Sequence, residues 1–387
     1  MKVLWICGLP NVVRLEGWGK VLSLCPTPAW SWIVGHLPPP PGVELHILCP
    51  TVDLIDNRID FQWRGAVWHC FKRHPLKLLH HTIPYIINVW KFVRELAPDV
   101  VHGWGGETGF GYAATLLSKR SVVSVQGLLL LYCELSSKFK GNMKSFSGCR
   151  MIWRERQSYR RAKVLLTESK ASQEALKQYY DEDSILIPHP LRKEFLQISL
   201  ENRHSLVNMP IKIVFVGGLV DRKGAMDALK AFAGLQSSSA KMVFIGDGEK
   251  KEEMERFVDN YHMRDSISIC SSRTPQEIVE EFRTAQFFLL PSYGDTGPTA
   301  LKEALSCGLY PICYENSGPK ALCAHYGCGG LCETGNVDAL ARLLKDRTAH
   351  VEKCLREGRE AAMRVRGELG RDAVWKELLQ VYATVMR

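Results

Sequence analysis

Two carboxylates eight residues apart, Asp295 and Glu303, lie in the stretch from Phe287 to Gly308, FFLLPSYGDTGPTALKEALSCG. Its opening run, residues 287–290, is apolar and ends at Pro291, the pattern of a short buried strand. A polar turn follows. Pro298 suits the first turn of a helix, because its missing N–H needs no partner there. The helix carries Leu301, Ala304 and Leu305 and stops at Gly308, and residues 310–314 form the next strand. Asp295 therefore falls in the loop, with Glu303 about two turns into the helix. A helix start around Thr296, Gly297, Pro298 and Thr299 presents backbone N–H groups and a partial positive charge, which suit an anionic group. A carboxylate further along can accept hydrogen bonds from sugar hydroxyls. Phosphate and sugar together suggest a nucleotide sugar.

A second stretch carries complementary chemistry. Residues 211–216 alternate as a strand, then Gly217-Gly218-Leu219-Val220-Asp221-Arg222-Lys223-Gly224 leads into a helix. The glycines permit close backbone approach, and Arg222 and Lys223 bring positive charge to a helix start.

These residues carry a resemblance. Pro291-Ser292, then Asp295, seven residues, Glu303 and Ala304-Leu305-x-x-Gly308, resembles the signature of the family-4 retaining glycosyltransferases, which have the GT-B fold. The first acid of that signature is usually Glu, so Asp295 is one methylene short. The resemblance implies that Asp295 contacts the donor sugar, Glu303 the ribose and Lys223 the diphosphate. The glycine-rich stretch resembles the family's Gly-Arg-Leu-x-x-x-Lys-Gly, with Gly218 at the Arg position, which leaves Arg222 as a replacement cation. Residues 99–103, DVVHG, resemble the family's Asp-x-x-His segment and place His102 at a strand end. Gln126 stands where many family members have a histidine that contacts the donor sugar. Glutamine can hydrogen-bond a hydroxyl but cannot shuttle a proton, and this class needs no protein base on the acceptor. Gly246-Asp247-Gly248-Glu249 also resembles a family loop, and Arg273 lies near where relatives hold the nucleotide base. Gly8 and residues 17–19 resemble the loop after the first strand.

The implied catalytic set is Asp295, Gln126 and His102. The implied donor-binding set is Gly217, Gly218, Arg222, Lys223, Arg273, Asp295, Thr296, Gly297, Pro298, Thr299 and Glu303. No metal or other cofactor is implied, since the nucleotide diphosphate sugar is a substrate.

The elements that must position these residues form two strand–helix series. They predict an α/β chain of two doubly wound, parallel-sheet, Rossmann-like domains facing a cleft, the GT-B arrangement. Residues 1–195 make the acceptor-side domain and residues 205–370 the nucleotide-sugar domain. The polar, irregular stretch 191–210 is the expected linker. By resemblance, the helix 371–387 packs back on the first domain.

Composition bounds the rest. The chain has 387 residues, 46% hydrophobic and 24% charged, enough for two domains. No apolar run reaches the roughly 18 residues of a membrane helix, and residues 1–10 read as a strand rather than a signal peptide. Thirteen scattered cysteines suggest reduced thiols in a cytoplasm. Residues 181–183, Asp-Glu-Asp, fall in a hydrophilic turn and are taken as solvated.

The net charge of +9 is uneven: 23 Lys and Arg oppose 15 Asp and Glu before residue 191, and 27 oppose 26 after it. Nine of the ten tryptophans precede residue 191. Residues 144–163 hold seven basic residues and one acid, with Ile152, Trp153 and Tyr159 between them, which suits peripheral contact with an anionic membrane. Residues 72–81 form a second basic stretch. No nucleic-acid motif accompanies the charge.

The reading is a retaining glycosyltransferase that moves a sugar to a glycan or lipid-linked acceptor in surface polysaccharide synthesis, at the cytoplasmic face of the inner membrane. The alternative is a nucleotide-sugar-binding protein without transferase activity. An NAD enzyme is disfavoured because no G-x-G-x-x-G follows the first strand.

Overall fold

The structure, a computed structural model, describes residues 1–8, 37–51, 58–72, 83–135, 137–235 and 240–387. The chain divides into two compact units, Met1–Pro190 with Arg371–Arg387, and Leu191–Gly370.

The strands of the first unit are β1 Lys2–Ile6, β2 Glu44–Thr51, β3 Arg58–Trp63, β4 Ala66–Lys72, β5 Val100–Trp104, β6 Ser121–Val125, β7 Val164–Thr167 and β8 Ile185–Leu186. They order as β3-β4-β2-β1-β5-β6-β7-β8. All pairs are parallel except β3 with β4. That exception is a hairpin: Arg64 and Gly65 both take positive φ, 51° and 75°, the two-residue turn whose twist matches paired strands. β1, β5 and β6 are buried along nearly their whole length because both faces of the sheet are covered. On one face Trp5 stacks on Trp375 at 5.5 Å, and Trp5 Nε1 donates to Tyr382 Oη at 2.9 Å. Both partners come from the helix Arg371–Met386. On the other face Leu4, Ile6 and Val101 pack on Val89, Phe92 and Val93 of the helix Ile83–Leu96.

The strands of the second unit are β9 Lys212–Val216, β10 Lys241–Ile245, β11 Ile267–Cys270, β12 Phe287–Leu290, β13 Tyr310–Tyr314 and β14 Gly330–Cys332. Their order is β11-β10-β9-β12-β13-β14, all parallel. The order reverses between β9 and β12. In an open parallel sheet that reversal leaves a crevice at the strand C-termini, where ligands bind.

Residues 191–210 belong to the second unit rather than forming a loose linker. Phe195 is fully buried in its core. The guanidinium of buried Arg203 donates to the carbonyls of Phe282 at 2.9 Å, Ala285 at 2.7 Å and Gly308 at 3.1 Å. These carbonyls end the helices Pro275–Thr284 and Thr299–Ser306, where a cation satisfies orphan acceptors and the negative end of the dipole. Burial lowers the pKa of Arg203 to about 10, so it stays charged at neutral pH.

Candidate functional site

The reversal point of the second sheet gathers most of the sequence-derived residues. β9 runs into Gly217 and Gly218, a short turn Asp221–Lys223, and the helix Ala225–Ala233. β12 runs into the 291–298 loop and the helix Thr299–Ser306. Gly224 joins the two loops. It takes φ +67°, and a Cβ there would stand 1.9 Å from Pro291 O, so neither the conformation nor the contact admits another residue. Tyr293 N donates to Arg222 O at 2.9 Å.

With the loops so fixed, Lys223 Nζ reaches both oxygens of Asp295 at 2.7 Å. Arg222 Nη1 reaches Asp295 Oδ1 at 3.1 Å and Gly294 O at 3.0 Å. Two cations thus converge on the loop carboxylate. A third element, which the sequence reading did not include, holds that loop. Gly318 N donates to Asp295 O at 2.8 Å. Asn316 Nδ2 donates to Ser292 O at 2.6 Å and its Oδ1 lies 3.4 Å from Asp295 N. Tyr293 and Tyr314 both donate to Asp227 Oδ2, at 2.7 and 2.9 Å.

Pro298 sits one position before the helix, at its N-cap, and its own side chain makes no capping bond. The first N–H groups of a helix lack intrahelical acceptors, so Thr299 opens a donor-rich end beside Lys223 and Asp295. Further along the same helix, Glu303 is only 2% exposed. Its Oε1 accepts from Arg192 Nε at 3.0 Å and Nη2 at 2.7 Å. Burial raises the Glu303 pKa, and the charge and hydrogen bonds of Arg192 oppose the rise. Arg192 lies in the stretch expected to be linker; nothing local in the sequence marks a buried arginine whose partner is over a hundred residues away.

Gly218 has room for a side chain: a Cβ there meets nothing nearer than Val220 at 3.7 Å. Gly246 approaches closely, since a Cβ would stand 2.0 Å from Gly217 O. The adjoining Asp247 accepts from Ser272 N at 2.9 Å and Oγ at 2.8 Å, and those bonds lower its pKa to about 2. Arg273 is not turned to this loop. It pairs with Glu281 on the following helix, which offers a charged partner, and reaches Cys270 Sγ at 3.1 Å.

In the first unit, the structure places His102 in the middle of β5 and not at a strand end. It is fully buried, with Nδ1 2.7 Å from Tyr382 Oη and Nε2 2.8 Å from Ser124 Oγ. Burial pushes its pKa down to about 3. Both ring nitrogens are engaged by core hydroxyls. Gln126 lies at a strand end, its Nε2 3.0 Å from His189 Nε2. Gly103 and Gly106 serve packing: a Cβ on Gly103 would stand 2.6 Å from Gly111 Cα, and one on Gly106 2.5 Å from the Tyr159 ring. Asp181 and Asp183 are exposed and pair with Lys177. Residues 17–19 and 73–81 lie outside the described residues.

Among known proteins, the family sequence model described as Glycosyltransferase Family 4 matches residues 39–194, and that of Glycosyl transferases group 1 matches residues 198–361. The first match falls mainly on the first unit and the second on the second unit. The chain belongs to the family-4 glycosyltransferases. A Bacillus subtilis protein assigned as a teichuronic acid biosynthesis glycosyltransferase is 27% identical over 59% of this chain and 56% of its own length. The match thus spans little more than half of that relative. Among solved structures, sucrose-phosphate synthase from Thermosynechococcus elongatus superposes with a TM-score of 0.76 at 15% identity, over 100% of this chain and 99% of its own. HepE of Anabaena, solved with UDP and with UDP-glucose, superposes with TM-scores of 0.71 and 0.70 at 13% and 14% identity, over 99% of this chain and 100% of its own. The fold of this family-4 chain is GT-B, two parallel-sheet α/β domains.

Proposed function

We propose that the chain transfers a sugar, with retention, from a nucleotide diphosphate sugar to a glycan or lipid-linked acceptor in surface polysaccharide synthesis. The observation that carries the reading is the convergence of Lys223, Arg222 and the start of the 299–306 helix at the reversal point of the second sheet. In this reading Lys223 and the helix N–H groups take the diphosphate and stabilise the charge that develops as it leaves. Asp295 takes donor-sugar hydroxyls and Glu303 the ribose. Gln126 offers a hydrogen bond to the donor sugar, and no metal is needed. UDP is the first nucleotide to test, because HepE binds it.

The acceptor side is proposed from the first unit. The helix Phe146–Arg161 turns Phe146, Trp153, Arg156 and Arg160 outward, with Phe146 84% and Trp153 50% exposed. Aromatic and basic residues on one helix face suit an anionic membrane surface, where a lipid-linked acceptor would reside. The protein would work there from the cytoplasm.

Turnover decides the reading. The full chain, given UDP-, GDP-, ADP- and dTDP-sugars with a membrane extract as acceptor source, should release one nucleoside diphosphate and place its sugar in the extract. Glu303→Ala should abolish both. A chain that binds a nucleotide sugar yet releases nothing would support the second reading, a binding protein. The bare Gly218 position keeps that reading open.

A further inference from the structure

Gln126, Glu168 and His189 come from neighbouring strand ends. Val125 pairs with Thr167 at the last register of β6 and β7, so the next residues, Gln126 and Glu168, leave the sheet side by side. Thr167 pairs with Leu186 on β8, and His189 follows three residues later. His189 is buried, and the Glu168 side chain is nearly so. His189 Nδ1 lies 3.0 Å from Glu168 Oε2, not aligned for a straight hydrogen bond. The other ring nitrogen, Nε2, lies 3.0 Å from Gln126 Nε2. The Trp104 ring stands 6.1 Å away on another side.

The chemistry of these contacts fixes more than packing. An amide nitrogen only donates. With the amide turned this way His189 Nε2 accepts, which in a neutral imidazole puts the ring proton on Nδ1. A carboxylate beside Nδ1 favours that tautomer electrostatically. With its nitrogen committed to His189, Gln126 directs its carbonyl oxygen away from the imidazole. The two ends of a glutamine amide have nearly the same shape, so only the partner decides which end faces where. Were the proton on Nε2, the amide would turn over and present its NH2 group instead.

We propose that His189, held in one tautomer by Glu168, is a positioning residue. It sets the Gln126 amide so that a carbonyl acceptor, not an NH2 donor, is offered to a hydroxyl of the donor sugar. This deepens the proposed function and rests on its assignment of Gln126 to the donor sugar. The glutamine then has the polarity of a neutral imidazole's bare nitrogen, an acceptor without a proton to exchange.

Two measurements on the full chain test it. The first needs no ligand. With selectively 15N-labelled histidine, the His189 signals are assigned by their loss in His189→Gln. Near neutral pH, Nδ1 should be protonated and Nε2 bare, and in Glu168→Gln an Nε2-protonated population should appear. An Nε2-protonated tautomer in the wild type would overturn the proposal. The second compares affinities for UDP-glucose and UDP, since only their difference reports on sugar contacts. Gln126→Ala, His189→Ala and Glu168→Gln should each weaken UDP-glucose by roughly three- to tenfold, the size of one neutral hydrogen bond, while UDP is unchanged. Thermal midpoints within about 2 °C of wild type would show that the variants fold. If Gln126→Ala spares the difference, the assignment of Gln126 to the sugar fails. If Gln126→Ala reduces it but the His189 and Glu168 variants do not, the positioning role alone fails. If UDP-glucose does not bind, the tautomer measurement still decides the orientation.

Discussion

Arg192→Met should convert Glu303 from a paired to an unpaired buried carboxylate, and the damage should depend on pH. Two arginine nitrogens meet Glu303 Oε1 at 3.0 and 2.7 Å, and the arginine side chain is 13% exposed. Breaking a buried ion pair by removing one partner costs about 3–5 kcal/mol. Partial exposure of Arg192 and the methionine's ability to cover the Phe195 ring, 4.8 Å from the guanidinium, place the cost near the lower figure. For a unit of this size about 3 kcal/mol is roughly 6–12 °C in the melting midpoint. The folded-state pKa of Glu303 already lies above its ordinary value, because burial outweighs Arg192. Removing Arg192 can only raise it further. A carboxyl whose folded pKa is raised destabilises the fold above that pKa, where both states are ionised. The deficit disappears as pH falls toward the unfolded value, where both are protonated. The loss in Arg192→Met should therefore be largest near pH 8 and shrink on acidification, by up to about 1.4 kcal/mol per pH unit. Adding Glu303→Gln should recover most of it at pH 8. The assay is the thermal midpoint of the single and double variants from pH 8 to pH 5. A deficit that is constant or grows as pH falls would refute the account of Glu303 as a buried charge held by Arg192.

Gly218→Arg should be tolerated, because its Cβ meets nothing closer than 3.7 Å; calorimetry should find nucleoside diphosphate bound about tenfold tighter, the worth of one charge-assisted bond. His102→Asn should flatten the acid side of the stability profile. The folded pKa of His102 is about 3 against an unfolded 6.5, so as pH falls below 6.5 the unfolded state gains a proton that the folded state refuses. The wild type should lose about 2 kcal/mol from this group between pH 7 and pH 5, and the variant should lose less, as urea titrations would record. Replacing both Arg156 and Arg160 by Ala should weaken binding to vesicles containing phosphatidylglycerol by about 2 kcal/mol at low salt. Cosedimentation unaffected by the change would remove the membrane reading.

What was legible in the sequence follows from range. β12 and β13 are short runs buried on both faces, so FFLL and YPICY announce themselves through local composition. Lys223 and Asp295, 72 residues apart, were assigned to one site by the family resemblance, and the parallel topology that brings their strand ends together explains why they meet. The misreadings share one cause. Arg192 and Arg203 look solvated because charge is exposed by default; each is buried by partners supplied from distant helices. His102 is expected at a strand end, but it is the third of the five residues of β5, and its surroundings include Tyr382 from the far end of the chain. Arg273 has the right place in sequence and the wrong neighbour, Glu281. No local signal marks His189, whose ring lies beside Gln126 three residues beyond β8.

The central claim is that the reversal point of the second sheet binds a nucleoside diphosphate through Lys223. Calorimetric titration of the full chain and of Lys223→Met with UDP, GDP, ADP and dTDP, with NAD as control, tests it most directly. The account predicts that one diphosphate binds the wild type, that Lys223→Met weakens it by roughly 10- to 100-fold, and that NAD gives no heat. Binding that survives Lys223→Met unchanged, or no binding by any of the four, would contradict it.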